Sequence, residues 1–246
     1  MADNPFNSGS EAYARHRPVY PSPMVQALAA MCDDHKLALD VGCGSGQLSH
    51  LLTAHFQKVV ATDPSEKQIA HALPNSCIDY RREPAEKVSL ENGAANLIVA
   101  GQAAHWFDLQ TFYGEVRRVG AKHAVLALIS YGVPQLDDEL EVYFQHFYWQ
   151  EIHKFWPPAR QHVENGYASF AFPFNETRLP TFTMERQWSL WDFIGYVRTW
   201  SAVKAAICQG ESVFVDGFEF GLAALWGDPS LQRRISWPIL GRVGRI

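Results

Sequence analysis

The chain has 246 residues, 47% of them hydrophobic, and a formal net charge of −5 at pH 7. This length can bury a large core, as one α/β domain with an insertion or as two domains. The acidic balance and the lack of a basic run exclude an electrostatic footprint for nucleic acid, so a small-molecule partner is favoured.

The four cysteines (Cys32, Cys43, Cys77 and Cys208) show no Cys-x-x-Cys spacing, so neither a zinc site nor a disulfide framework is predicted. The first residues, Met-Ala-Asp-Asn, lack the basic and then apolar order of a secretory signal. No apolar run approaches the roughly 18 residues expected of a membrane helix. We therefore expect a cytoplasmic protein with no metal ion and no membrane partner, and the sequence is silent on oligomeric state.

The N-terminal segment, residues 1–22, is polar and rich in turn-forming residues, and it precedes a helix that Ser22 is expected to cap. From Tyr13 to Pro21 it combines aromatic and cationic side chains. One interpretation is a solvated leader. The other is a lid whose Tyr13 and Arg17 contact an anionic group of a substrate.

A glycine-rich stretch follows the first apolar run, which ends at Asp40. Glycines at alternate positions and a return to helical spacing predict a buried strand, a tight turn and a helix, in which Gly42, Gly44 and Gly46 let the backbone crowd a ligand. A dinucleotide fingerprint would need glycine where Gln47 stands, and the Asp40 carboxylate would repel phosphate. A cationic ligand without phosphate, such as S-adenosylmethionine, fits better. The alternative is an ordinary strand-turn-helix.

A second apolar strand, 58–62, ends at Asp63. An acidic side chain at the tip of the second parallel strand is a common partner of a ribose diol. Asp63 could instead cap the following helix, but Ser65 already supplies a cap. We therefore predict that Asp63 holds a ribose.

Further strands are predicted over 77–80, 95–100 and 124–129, and Asp108 is expected to cap a helix that stops before Gly120. Strands alternating with helices favour a doubly wound parallel α/β sheet with ligands at the carboxyl ends of the strands. We interpret the chain as one domain with a mainly helical insertion over 132–180. Later elements are predicted as a helix at 137–156, a strand at 181–188, helices at 190–201 and 212–226, and a strand at 234–243.

Together these landmarks resemble class I S-adenosylmethionine-dependent methyltransferases over nearly the whole chain. The motif from Asp40 to Gly46, joined to Asp63, carries most of the resemblance. Three segments are similar to the trans-aconitate methyltransferase-like branch, and malonyl-carrier-protein methyltransferases share the same frame; the segments are 13–21, 102–107 and 195–201. The resemblance implies a Rossmann-like seven-stranded sheet whose last strand is antiparallel.

The resemblance also implies that S-adenosylmethionine is the cofactor and that particular residues bind it. Asp40 and the amides of the glycine loop would hold the methionine end, and Asp63 would hold the ribose hydroxyls. The implied contacts are Asp40, Gly42, Cys43, Gly44, Gly46 and Asp63, with Pro64, Ala85 and Glu86 bordering the adenine and Gln102 closing the pocket.

Two positions depart from the family pattern. Many members carry Asp where Pro84 stands, and that Asp accepts a hydrogen bond from the adenine amino group. Proline cannot do so, and adenine recognition is therefore predicted to rest on backbone groups and on Glu83 or Glu86. Asn96 replaces an Asp that commonly begins the fourth strand, and the sequence assigns it no function.

The methyl acceptor decides what else the enzyme needs. Transfer from a sulfonium is an in-line displacement, which requires alignment and exclusion of water. A carboxylate acceptor needs no base, and Arg17 or Arg198 could orient it through paired hydrogen bonds. A hydroxyl or amine acceptor needs a base, for which His105 is the candidate, although a histidine in this setting is more often structural.

Three aromatic residues, Trp106, Tyr196 and Trp200, are predicted either to wall the acceptor pocket or to pack in the core. The sequence favours a small-molecule methyltransferase that forms a methyl ester of an organic acid. One alternative is a binding protein of the same fold that has lost transfer activity, against which the intact motif speaks. The other is a nicotinamide-dependent oxidoreductase, which Gln47 disfavours.

Overall fold

The computed structural model describes residues 18–246, so Tyr13 and Arg17 of the predicted lid lie outside the described residues. The first half alternates strands and helices: α1 Ser22–Ala30, β1 Leu37–Val41, α2 Gln47–Leu52, β2 Lys58–Thr62, α3 Glu66–Ala70, β3 Ile78–Arg81, β4 Ala95–Gly101, α4 Leu109–Val119 and β5 Gly120–Tyr131. The second half contains α5 Asp138–His146, α6 Arg160–Glu164, β6 Asn175–Thr177, β7 Phe182–Trp188, α7 Leu190–Arg198, α8 Ser201–Cys208, α9 Ser212–Trp226 and β8 Arg233–Arg245. A π-helical turn, Phe147–Ile152, and a 3₁₀ turn, His153–Phe155, extend α5, and another 3₁₀ turn, Ala104–Trp106, follows β4.

The strands form one mixed sheet in the order β3-β2-β1-β4-β5-β8-β6, and β7 also pairs with β8. The neighbours among β1 to β5 are parallel, whereas β8 is antiparallel to β5 and β6. The predicted α/β class and the antiparallel last strand are confirmed. The sheet has eight strands rather than seven because the short strand β6, which the sequence did not predict, pairs with β8.

The chain divides into two compact units. One, the sheet unit, comprises residues 20–132, 161–183 and 238–246. The other, the helical unit, includes the described residues 18–19, 133–160 and 184–237. The predicted insertion, 132–180, therefore contributes residues to both units.

The central strands of the sheet unit are buried along most of their length, as expected of parallel strands covered on both faces. On one face, Phe112 of α4 packs in one apolar cluster with Leu39 and Ile98. Alternate strand positions, including Asp40 and Ala61, point to the opposite face. Asp40 is therefore directed away from the α4 cluster.

Side-chain caps account for several element boundaries. Asp108 accepts hydrogen bonds from two backbone amides of α4, as predicted, and Ser189 forms a capping box with Asp192. Ser22 is not the cap of α1, because the helix already includes it and Pro21 precedes it without a side-chain bond. Asn96 gains a structural role, since its Oδ1 accepts hydrogen bonds of 3.1 and 3.0 Å from two backbone amides at the start of β1. Within residues 18–246, no helix is long and apolar enough to cross a membrane.

Candidate active site

The glycine loop, residues 41–46, joins β1 to α2 at the carboxyl edge of the parallel strands. The backbone amides of Gly42 and Cys43 donate to the Thr62 carbonyl at 2.8 and 2.9 Å, which ties the loop to the end of β2. A Cβ on Gly42 would lie 2.5 Å from the Ala103 Cβ, so this glycine is required by the protein's own packing. At Gly44 the nearest atom would be 3.8 Å away. The protein's own packing is thus less crowded at Gly44 than at Gly42.

Asp40 lies beneath this loop with 1% of its surface exposed. One of its oxygens, Oδ2, accepts a 2.6 Å hydrogen bond from the Ser49 hydroxyl of α2. Burial raises the pKa of Asp40 to about 7, an effect opposed by the Ser49 bond and reinforced by the charge of Asp63. A cationic ligand beside this carboxyl would favour its charged form.

Asp63 follows β2 and is held by two backbone amides. Its Oδ2 accepts from the Gly44 amide at 2.9 Å, and its Oδ1 accepts from the Ser65 amide at 2.8 Å. Burial raises the pKa of Asp63 even though both bonds lower it. A carboxylate offers about four acceptor positions, so about two remain for a ribose diol. Ser65 caps α3, as predicted.

Gln102 follows β4 in a left-handed conformation, with φ of 58°, which is uncommon for a residue other than glycine. Its backbone amide donates to the Ile129 carbonyl at 2.8 Å, and its Nε2 donates to the Tyr131 carbonyl at 3.3 Å. Its Oε1 is buried without a hydrogen-bond partner among the described residues, and the same is true of Thr62 Oγ1 and Tyr80 Oη. Buried polar atoms of this kind are rare unless a ligand or water completes them.

This edge fits S-adenosylmethionine on its donor and acceptor chemistry. Two acidic side chains, Asp40 and Asp63, suit its positive charges and its ribose, and no atom of the described residues, apart from its chain neighbours, lies closer than 3.8 Å to the Cβ position of Gly44. The uncommitted oxygen of Gln102 can accept from an N–H or O–H donor. Over residues 18–246, no cluster of three or more His, Cys, Asp or Glu could hold a metal ion.

The acidic residues that were predicted to lie beside the adenine already accept hydrogen bonds from other parts of the protein. Glu86 Oε1 accepts from the Asp108 amide at 2.9 Å, and Glu83 Oε2 accepts from a backbone amide of the following loop at 2.9 Å. Ala85 is buried and Pro64 is exposed. Adenine binding by this segment stays a prediction, and backbone and apolar contacts are now the better candidates for it.

An aromatic group lies just beyond Gln102 in the sheet unit. The His105 ring is 4.7 Å from the Trp106 ring, and it stacks on the Tyr167 ring at 6.5 Å with an interplanar angle of 20°. Trp106 is 51% exposed, whereas Tyr167 is fully buried and has φ of 63°. The sequence did not point to Tyr167, because it stacks on a residue 62 positions away in the chain.

Tyr196 and Trp200 belong to the helical unit, where both are buried. Tyr196 Oη accepts from Trp237 Nε1 at 3.1 Å, and its ring lies 5.5 Å from that of Trp200. Within this unit, Tyr196 and Trp200 therefore pack in the core. Their predicted role in binding the acceptor stays a prediction. Arg198 donates to Glu219 through Nε and Nη2 at 2.6 and 2.7 Å. The paired donors that were expected to orient a substrate carboxylate are therefore already bonded to Glu219.

Comparisons with known proteins agree with this geometry. A family described as "Methyltransferase domain" matches residues 39–128. A candidate methyltransferase of Dictyostelium discoideum is 34% identical over 212 residues, which cover 85% of this chain and 81% of that protein. The solved structure of a candidate type II methyltransferase from Anaeromyxobacter dehalogenans matches with a TM-score of 0.89 and 39% identity, over 93% of this chain and 97% of that one.

These relatives cover more than four fifths of both chains, and they favour the methyltransferase over the nicotinamide-dependent alternative. The chain therefore belongs to the class I S-adenosylmethionine-dependent methyltransferases, and S-adenosylmethionine is its cofactor.

Proposed function

We propose that this enzyme methylates a carboxylate of a small organic acid and releases a methyl ester. The similarity of three segments to the trans-aconitate methyltransferase-like branch supports this acceptor class. The net charge of −5 and the absence of a basic run in the sequence argue against a nucleic-acid acceptor. The observation that carries the proposal is the aromatic group in which Trp106 and Tyr167 lie against His105, three residues after Gln102, since aromatic walls suit a small acceptor.

The cofactor-side residues have distinct tasks in this proposal. Bound S-adenosylmethionine supplies an electrophilic methyl group on its sulfonium. Asp40 and the loop amides hold the methionine end, and Asp63 orients the ribose while also fixing Gly44 through its 2.9 Å bond. Gln102, whose side chain is anchored to the Tyr131 carbonyl, closes the pocket from β4. These residues bind and orient the cofactor, and they take no part in bond breaking.

The acceptor side requires no general base if the acceptor is a carboxylate, because that group is nucleophilic at neutral pH. His105 would then contribute packing against Trp106 and Tyr167. A hydroxyl or amine acceptor is the second candidate, and the position of His105 three residues after Gln102 favours it. In that case His105 would accept the acceptor's proton.

A methyl-transfer assay separates these acceptor classes. The protein is incubated with methyl-labelled S-adenosylmethionine and with panels of organic acids, phenols and amines. Mild alkali releases labelled methanol from an ester but not from an ether or a methylamine. We expect an alkali-labile product from the acid panel only, and His105→Asn should keep turnover within about tenfold, because loss of a true base costs about 10²- to 10⁴-fold.

Two other results would contradict the proposal. An alkali-stable product, together with a fall in turnover of more than about 100-fold in His105→Asn, would establish a hydroxyl or amine acceptor. Cofactor binding without turnover on any panel would support the alternative of a binding protein.

A further inference from the structure

Tyr80 of β3 was not among the predicted cofactor residues, yet it is aligned with Asp40 across the sheet. The register pairs Asp40 with Ala61 and Ala61 with Tyr80, so the three side chains share one face. Neighbouring strands are about 4.8 Å apart, which places Tyr80 two spacings from Asp40. The small side chain of Ala61 leaves room for the tyrosine ring to lie across β2.

The end of the Tyr80 side chain rests on the glycine loop. A Cβ on Gly46 would lie 2.8 Å from both Cε1 and Cζ of Tyr80, and closer still to its hydroxyl oxygen. The third glycine of the motif therefore makes room for a side chain of the protein itself. The hydroxyl is buried and has no hydrogen-bond partner over residues 18–246. A buried hydroxyl without a partner is costly, which indicates that a partner is gained in another state.

Few polar groups face Asp40, and each comes from a different part of the sheet unit. Ser49 of α2 donates to it, Asp63 adds negative charge from the end of β2, and the Cys43 thiol faces it from the loop. Tyr80 of β3 lies on the same face of the sheet, two strands from Asp40. Burial, together with the negative charge of Asp40, raises the pKa of Tyr80 to about 12. The hydroxyl is therefore a neutral donor at physiological pH.

We propose that Tyr80 is a positioning residue of the cofactor site, whose hydroxyl donates to the Asp40 carboxylate when the cationic methionine end of the cofactor binds. Together with the Ser49 hydroxyl it keeps that carboxylate charged, because hydrogen bonds to the charged form favour it. The inference rests on the role given to Asp40 under the proposed function. It also assigns Gly46 a task, which is to let the tyrosine approach.

The test compares Tyr80→Phe with the wild type by calorimetric titration with S-adenosylhomocysteine between pH 6 and 8.5. Loss of the donor favours protonated Asp40, so the pH at which half the affinity is lost should rise by about 0.5 to 1 unit. The Kd at pH 7 should rise about three- to tenfold. Tyr113→Phe is the matched control, because its hydroxyl is also buried without a partner in the described chain but its ring packs against Phe172 and Phe174.

The control variant should bind like the wild type, and the thermal midpoint of Tyr80→Phe should not fall in the absence of ligand, because the hydroxyl it removes has no partner among the described residues. An unshifted pH midpoint in Tyr80→Phe would overturn the inference, whatever happens to its stability. Equal losses of affinity in both variants would overturn it as well, since they would show a general packing effect. If the wild type itself does not bind, the assignment of Asp40 fails first, and the inference fails with it.

Discussion

Asp40→Asn tests the electrostatics of the buried carboxyl, because it should stabilise the free protein while weakening its cofactor binding. Burial raises the pKa of Asp40 from 3.8 to about 7. That rise is about three units at 1.36 kcal/mol each, so keeping Asp40 charged in the free protein costs about 4 kcal/mol at pH 8. Asparagine removes the charge and can still accept from Ser49, but its buried amide needs partners, at a cost of about 1–3 kcal/mol. The expected net gain in unfolding free energy is about 1–3 kcal/mol at pH 8.

The size of this gain should depend on pH. Because the folded-state pKa of Asp40 is raised above its unfolded value, its contribution to stability is fully present below about pH 3.8 and is lost as the pH rises through about 7. The difference in unfolding free energy between the variant and the wild type should therefore shift in favour of the variant from pH 5 to pH 8. Urea denaturation of both proteins across that range measures the difference.

The cofactor arm of the experiment uses the same two proteins. Asp40→Asn should raise the Kd for S-adenosylhomocysteine at pH 8 by about 10- to 100-fold, the effect of losing a charged partner. Asp79→Asn is the control, because Asp79 is a partly exposed carboxyl that pairs with Arg81 at 2.6 Å. The reasoning is refuted if Asp40→Asn is the less stable protein at pH 8, if the stability difference does not change with pH, or if cofactor affinity is kept.

Three further variants probe other contacts. Gln102→Ala should raise the Kd for S-adenosylhomocysteine about three- to thirtyfold, since it removes an uncommitted acceptor, and calorimetry showing no change would contradict the role given to Gln102. Arg198→Ala should leave the acceptor KM unchanged and cost about 1 kcal/mol in urea denaturation, because the Arg198 side chain is about half-exposed although its partner Glu219 is mostly buried. A tenfold rise in KM would instead indicate that Arg198 binds the acceptor. Asn96→Ala should cost about 1–2 kcal/mol of stability, because two backbone amides lose their acceptor, and should leave cofactor affinity unchanged in calorimetry.

The parts of the fold that were predicted correctly are those that depend on neighbouring residues in the sequence, such as apolar runs and helix caps. Asp40 and Asp63 each end an apolar run, and parallel strands bring such ends to one edge of the sheet. Caps such as Asp108 are likewise local, since the side chain bonds amides two and three residues away. The antiparallel last strand came from the family resemblance rather than from the residues alone, and the order of the strands was not predicted.

The features that the sequence did not reveal depend on contacts between distant segments. The position of Tyr80 opposite Asp40 requires the register of three strands, which hydrophobic periodicity does not set. The partner of Glu86 is a backbone amide 22 residues away, and the stacking of Tyr167 on His105 joins residues 62 positions apart. These long-range contacts determine the surroundings of Asp40, Glu86 and His105, which were all predicted site residues.

The most direct test of the cofactor site is a calorimetric titration of the wild type and of Asp63→Ala with S-adenosylhomocysteine. The wild type should bind at a single site. The variant should lose at least about tenfold in affinity, because Asp63 is proposed to hold the ribose and also fixes the glycine loop through Gly44. Absence of binding heat from the wild type at millimolar ligand, or equal affinity in the two proteins, would contradict the placement of the cofactor at this edge of the sheet.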